Sequence, residues 1–142
     1  MTLDGLLAQL LSGLAGASTL FLIATGLSLI FGVTRIVNFA HGSLYMVGLY
    51  LAYALVDLMG GSALGYWTAL VLAALAVGAL GALIELVLLR RIYQAPELFQ
   101  LLATFALVLV IRDVTLYFFG GEDLFGPRAP GLEGSVQWLG RA

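Results

Sequence analysis

The chain has 142 residues, 62% of them hydrophobic and only 10% charged, with a formal net charge of −2 and a mean hydropathy of +1.08. A soluble domain carries about 25% charged residues, so this composition cannot clothe a water-soluble enzyme, a nucleic-acid-binding module or a disordered tail. The absence of Lys and Cys removes a basic patch for phosphates, disulfides, Cys-ligated zinc and a thiol nucleophile.

An integral membrane protein remains, and the spacing of its charges sets the spans. Uncharged stretches run over 5–34, 36–56 and 58–84. A helix needs about 20 apolar residues to cross roughly 30 Å of hydrocarbon, so each stretch fits one crossing. Continuous apolar runs such as Leu20–Ile30 lack the alternation of a barrel strand. In lipid the backbone must bond within its own segment. The fold class is therefore all-α, a polytopic membrane protein with about four transmembrane helices in a single transmembrane domain over 1–142.

The first span is predicted near 13–33, with residues 3–12 lying in the interface or extending the helix. Met1–Ile30 contains no Arg or Lys, and the apolar stretch exceeds the roughly 7–15 residues of a signal-peptide core. The segment is therefore expected to remain as a span. The second span is predicted near 42–58 and the third near 66–89, with Gly60-Gly61-Ser62 as the turn between them. Gln94-Ala95-Pro96-Glu97 makes the next turn, and Pro96 suits a helix start. The fourth span is predicted near 98–119, despite Arg112 and Asp113. Adjacent helical positions do not face each other, so Arg112 is expected not to pair with Asp113 but to snorkel to the outer headgroups or, on the other reading, to pair with a polar group of another helix or subunit. Residues 120–142 are rich in Gly, Pro and charge. They read as an extramembrane loop with an amphipathic end at Val136–Leu139.

Small residues recur every four positions on three spans: Ala24, Ser28 and Gly32; Gly48 and Ala52; Ala74, Gly78 and Ala82, with Ala69 and Ala73 nearby. Small residues let helix backbones approach, so these rows are the expected seams of the bundle. Tyr66, Trp67, Tyr93 and Tyr117 sit near span ends, as interfacial aromatics do. Glu85, near Arg90 and Arg91, is expected to neutralise an Arg or to cap a packing contact. Arg35, Arg90 and Arg91 fall on one side of the membrane. The positive-inside bias puts that side in the cytoplasm, with both termini outside.

The segment Phe31–Gly42 packs Gly32, Thr34, Arg35, Asn38, His41 and Gly42 between two apolar spans. Asn38, His41 and Tyr45 are spaced i, i+3, i+7, which is one face of a helix. Two readings stay open. In one, the segment is a tight cytoplasmic turn with Asn38 capping the second helix. In the other, it is a helix break lining a translocation path, because polar groups at membrane depth mark cavities and substrate routes. On the second reading Asn38 and His41 are the substrate-pathway candidates. Gly42 would then allow close backbone approach, and Tyr45 would lie on the same face. There is no Walker A sequence, no His-Glu-x-x-His, no Gly-x-Ser-x-Gly and no carboxylate cluster. No catalytic residue, metal ligand or P-loop ATP site is expected, and the chain does not read as an enzyme.

The run Gly26-Leu-Ser-Leu-Ile-Phe-Gly-Val-Thr-Arg-Ile-Val-Asn-Phe-Ala-His-Gly-Ser-Leu-Tyr-Met-Val-Gly-Leu-Tyr50 resembles the permease subunits of branched-chain amino acid ABC importers, the LivH type. Its centre is Asn38-Phe39-Ala40-His41-Gly42, followed by Tyr45-Met46 and Gly48. Glu85–Arg91, Leu101–Leu109, Phe119-Gly120 and Phe125–Gly131 resemble later blocks of the same family. The resemblance implies part of an ABC importer permease fold in the bacterial inner membrane. It implies import of leucine, isoleucine or valine, or of a related small solute such as urea or another amide. The implied partners are a periplasmic substrate-binding protein, a second permease subunit and cytoplasmic ABC ATPase subunits that hydrolyse ATP. This chain itself would hold no cofactor, and beyond those partners it meets the lipid bilayer and no nucleic acid. Permeases of the family are longer and carry more spans, so the chain is expected to correspond to the N-terminal half of one, either a working piece or a non-functional truncated fragment. The other class of reading is a small four-helix membrane protein with a structural or regulatory role.

Overall fold

The computed structural model describes residues 3–60, 62–122, 124–126 and 128–131. Four helical stretches are long and apolar enough to cross a membrane: Gly5–Thr34, Ala40–Met59, Ala63–Ile92 and Glu97–Phe119. The first helix, α1, runs Leu3–Thr34. Residues 3–12 thus extend the first span, since nothing in that apolar run breaks the helix. Its 32 residues make a rod about 48 Å long at 1.5 Å per residue.

Helix α1 stops at Arg35, which takes the left-handed conformation with φ +56°, while its N–H donates to Phe31 O at 2.8 Å. Left-handed residues after the last turn are a common way to satisfy helix-end carbonyls. The Thr34 hydroxyl donates to Ile30 O at 2.9 Å and accepts from Ile36 N at 3.3 Å, which fixes the exit of the chain. Helix α2 then runs Ala40–Met59.

The turn into α3 (Ala63–Ile84) is capped by Ser62, whose Oγ accepts from Gly65 N at 3.1 Å. Gly65 has a specific reason to be glycine. A Cβ there would stand 2.9 Å from Met59 O and 3.1 Å from Gly60 O, so the helix start is pressed against the turn's own backbone. Helix α3 continues through a π-helical turn, Glu85–Leu89, into the short α4, Arg90–Ile92. The Tyr93 hydroxyl donates to Glu85 Oε1 across this turn. Glu85 therefore engages a tyrosine and not the neighbouring arginines. The widened turn swings its carboxylate toward the residue eight positions on. Helix α5 runs Glu97–Phe119 after Pro96.

Helix α2 is the axis of the bundle: it packs most extensively on α3, next on α5, and only sparsely on α1. The core contains Ala40, Val56, Ala69, Ala73, Leu89 and Ile111. The rings of Tyr50 and Phe119 join α2 to α5 with centroids 4.8 Å apart. The expected seams are only partly used. On α3 the buried row is Gly65, Ala69 and Ala73. The same row continues to Val77, which faces Gly48, and to Gly81, which faces Leu44. Ala74, Gly78 and Ala82 are exposed, because they lie one position, about 100° of helix, beyond that row. Ala24, Ser28 and Gly32 on α1 are exposed as well, since α1 leans on the bundle at another point. Arg112 and Asp113 both lie on the exposed side of α5. Residues 132–142, with the expected amphipathic end at Val136–Leu139, lie outside the described residues.

Candidate functional site: the connector between the first two helices

The segment 35–38 is irregular between two long helices, and its polar backbone needs partners. Asn38 supplies two of them. Its Oδ1 accepts from Ala40 N at 3.0 Å, and its carbonyl accepts from His41 N at 3.2 Å. The side chain thus mimics a backbone turn at the mouth of α2, as short amide side chains do. Asn38 is 5% exposed and its neighbours Ile36 and Ala40 are buried, so the connector is tucked into the bundle.

The third contribution comes from α5. Thr104 is fully buried, at 0% exposure. Its hydroxyl has Gln100 O at 3.0 Å, Leu101 O at 3.1 Å and Val37 O at 3.4 Å. One proton is shared among these carbonyls, which reaches from α5 to the connector. One turn earlier, Gln100 Nε2 donates to Ala95 O at 2.8 Å and to Tyr93 O at 3.2 Å. The polar pair Gln100 and Thr104, spaced i, i+4 on an apolar span, therefore organises both connectors at this end of the bundle. That spacing was the signal in the sequence that could have singled them out.

The four sequence candidates divide. Asn38 precedes the first residue of α2, so it shares no helical face with the others. His41 is half-buried and reaches α1: a Cβ on Gly26 would stand 2.8 Å from His41 Nε2 and 2.9 Å from Cε1. The close approach in this region is thus at Gly26, while a Cβ placed on Gly42 would meet nothing within 4 Å beyond its chain neighbours and its own helix backbone. Tyr45, one turn after His41, is 41% exposed.

A cleft of about 550 Å³ opens beside the connector, walled by Phe31, Arg35 and Val37 on one side and Glu97, Gln100 and Leu101 on the other. A second cavity of about 550 Å³ lies toward the other end of the bundle, with Tyr50, Tyr53, Tyr66 and Phe125 in its wall. Among the described residues, no three His, Cys, Asp or Glu side chains gather as metal ligands.

Comparison with known proteins decides the family. Residues 9–136 match the model of the branched-chain amino acid transport system permease component. The chain belongs to that family. It is 31% identical over 115 residues to the high-affinity branched-chain amino acid transport system permease protein BraD of Pseudomonas aeruginosa, covering 78% of this chain and 38% of the relative. It is 30% identical over 129 residues to the permease protein LivH of Escherichia coli K12, covering 85% of this chain and 41% of the relative. LivH of Salmonella typhimurium is 28% identical over 130 residues, with 85% and 41% covered. The chain therefore spans about two fifths of the length of these permeases. No solved structure matches it. Its four membrane-length apolar helices are consistent with a polytopic permease component, and the family is one of transport proteins.

Proposed function

We propose that this permease chain forms part of the translocation path of an ABC importer for branched-chain amino acids, or for related small solutes such as urea and amides, in the bacterial inner membrane. The observation that carries this reading is the family match across residues 9–136, joined by relatives named as branched-chain amino acid permeases. A periplasmic binding protein delivers the solute, a second permease subunit completes the path, and cytoplasmic ATPases supply the energy. The end carrying Arg35, Arg90 and Arg91 faces the cytoplasm, in keeping with the positive-inside bias.

The connector gives this reading a mechanical form. Helices α2, α3 and α5 make one packed unit, while α1 touches it sparsely. One of these contacts sets Gly26 of α1 against the His41 imidazole. Rocking of α1 about residues 35–38 disturbs little buried surface. His41 and Tyr45, one turn apart on α2, are the side chains that such rocking would bring to the solute, with Asn38 holding the turn before them and Gly42 beside His41.

The test is uptake of radiolabelled leucine by the assembled transporter, with binding protein and ATPases present, in wild type and Asn38→Leu. The expected result is lower uptake at unchanged membrane abundance. A parallel fall in uptake and abundance assigns Asn38 to packing alone. Unchanged uptake reduces the segment to a turn. Absence of any branched-chain amino acid uptake by wild type would refute the importer reading itself.

A further inference from the structure

The cleft beside the connector sets opposite charges in one small space. Arg35 stands on the wall built by the end of α1, and Glu97 stands on the wall built by the first turn of α5. Among the described residues the two form no ion pair with each other, and both are exposed. Phe31, Val37 and Leu101 supply apolar surface between them, and Gln100 adds an amide. The volume of about 550 Å³ lies within the roughly 300–1,000 Å³ typical of small-ligand sites. Arg35 also holds a left-handed backbone at φ +56°, a conformation that costs a non-glycine residue about 1–2 kcal/mol. Strain of this kind gathers at functional positions. A glycine would hold the same turn without that cost.

From this geometry we infer that the cleft is a subsite for a zwitterionic α-amino acid with an aliphatic side chain, on the side of the path that bears Arg35. The inference rests on the importer reading above and narrows its solute class. The Arg35 guanidinium takes the carboxylate through its planar fork. The Glu97 carboxylate takes the ammonium group. Phe31, Val37 and Leu101 shelter the branched side chain from water. Urea and simple amides carry neither charge and leave both walls unmatched, so they bind poorly here.

The test uses the assembled importer in nanodiscs without its binding protein. Equilibrium binding of radiolabelled L-leucine is competed with leucinamide, which lacks the carboxylate, and with 4-methylpentanoate, which lacks the ammonium. Arg35→Gln and Glu97→Gln are each expected to weaken leucine binding by about tenfold or more, the scale of a lost charge-assisted hydrogen bond. Arg35→Gln should erase the preference for leucine over leucinamide. Glu97→Gln should erase the preference over 4-methylpentanoate. Arg35→Lys and Glu97→Asp should restore most of the affinity, which separates charge recognition from misfolding.

Leucine binding by both glutamine variants within about twofold of wild type, well below the tenfold scale of such a bond, overturns the subsite. So does competition by urea as strong as that by leucine. Loss of co-purifying anionic lipid from Arg35→Gln with leucine binding unchanged overturns it too, and makes the cleft a headgroup site. Uptake into proteoliposomes separates the two levels. If wild type imports leucine and neither substitution matters, the subsite falls and the importer reading stands. If wild type imports no branched-chain amino acid, both fall.

Discussion

Replacing Gly26 by Ala tests a close contact between α1 and α2. The new Cβ would stand 2.8 Å from His41 Nε2 and 2.9 Å from Cε1, against an optimum of about 3.5–4.0 Å for such atoms. The overlap is therefore close to 1 Å. The atoms it meets are the tip of a side chain that can rotate, so the cost sits at the lower end of the roughly 1–3 kcal/mol of overpacking. Against this, Ala is favoured over Gly inside a helix by about 0.5–1 kcal/mol. The two nearly cancel in the wild-type background, and Gly26→Ala alone should change stability by less than about 0.5 kcal/mol. With His41→Ala the clash vanishes and only the helix gain remains. Gly26→Ala should then stabilise by about 0.5–1 kcal/mol, for a coupling of about 1 kcal/mol between the sites. Reversible unfolding of the four proteins in mixed micelles reads this as a Tm difference of about 2–4 °C. Equal effects of Gly26→Ala in both backgrounds would refute the packing of His41 on Gly26, and with it the account of how α1 is held.

The other predictions follow from the turns. Gly65→Ala places a methyl against immobile backbone at 2.9 Å and should destabilise by about 1–3 kcal/mol less the helix gain, whereas Gly78→Ala meets nothing within 4 Å and should be neutral or slightly stabilising in the same unfolding assay. Asn38→Ala removes the acceptor for Ala40 N and should cost about 1 kcal/mol, while Asn38→Asp keeps the acceptor and most of the stability. Thr104→Val leaves three carbonyls without their shared donor and should cost about 1 kcal/mol, visible as faster amide exchange at the start of α2. Arg35→Gly relieves the left-handed strain and should raise stability by about 1 kcal/mol, yet leucine affinity should fall. Stability and affinity moving together would count against a ligand role for that side chain.

The charges told the spans because a charge in hydrocarbon is costly enough to mark the ends of a crossing. That is why Arg35, Asp57 and Arg90 fall near the ends of helices: the limits of α2, of the stretch Ala63–Ile92 and of α5 lie within about three residues of expectation, whereas α1 starts at Leu3, well before the 13–33 core. The turn role of Asn38 was likewise available from residue type and place: its Oδ1 accepts from Ala40 N, although the cap position of α2 itself falls on Phe39, without a side-chain cap bond. The π-helical turn at Glu85–Leu89 left no local signature, since its residues, Glu-Leu-Val-Leu-Leu, are ordinary helix formers. The choice between the 65–69–73 row and the 74–78–82 row on α3 also escaped, because both are small and only the partner helix decides between them. Of the site, the connector was visible as a polar cluster. Its opposite wall was not, because Glu97, Gln100 and Thr104 come to it from across 60 residues of chain. The bond from Thr104 to Val37 O depends on how α5 packs beside α2.

The length of α1 has a consequence for the membrane that holds it. A rod of about 48 Å exceeds the roughly 30 Å hydrocarbon layer and reaches the full 40–45 Å that includes both headgroup zones. An apolar helix of that reach responds to the local thickness of the bilayer by leaning, since tilting is the cheapest relief of mismatch. With α1 packed only sparsely on α2 among the described residues, its lean is loosely coupled to that of the other helices. Lipid chain length thereby becomes a variable that acts on the angle at this connector, and with it on the cleft between Arg35 and Glu97.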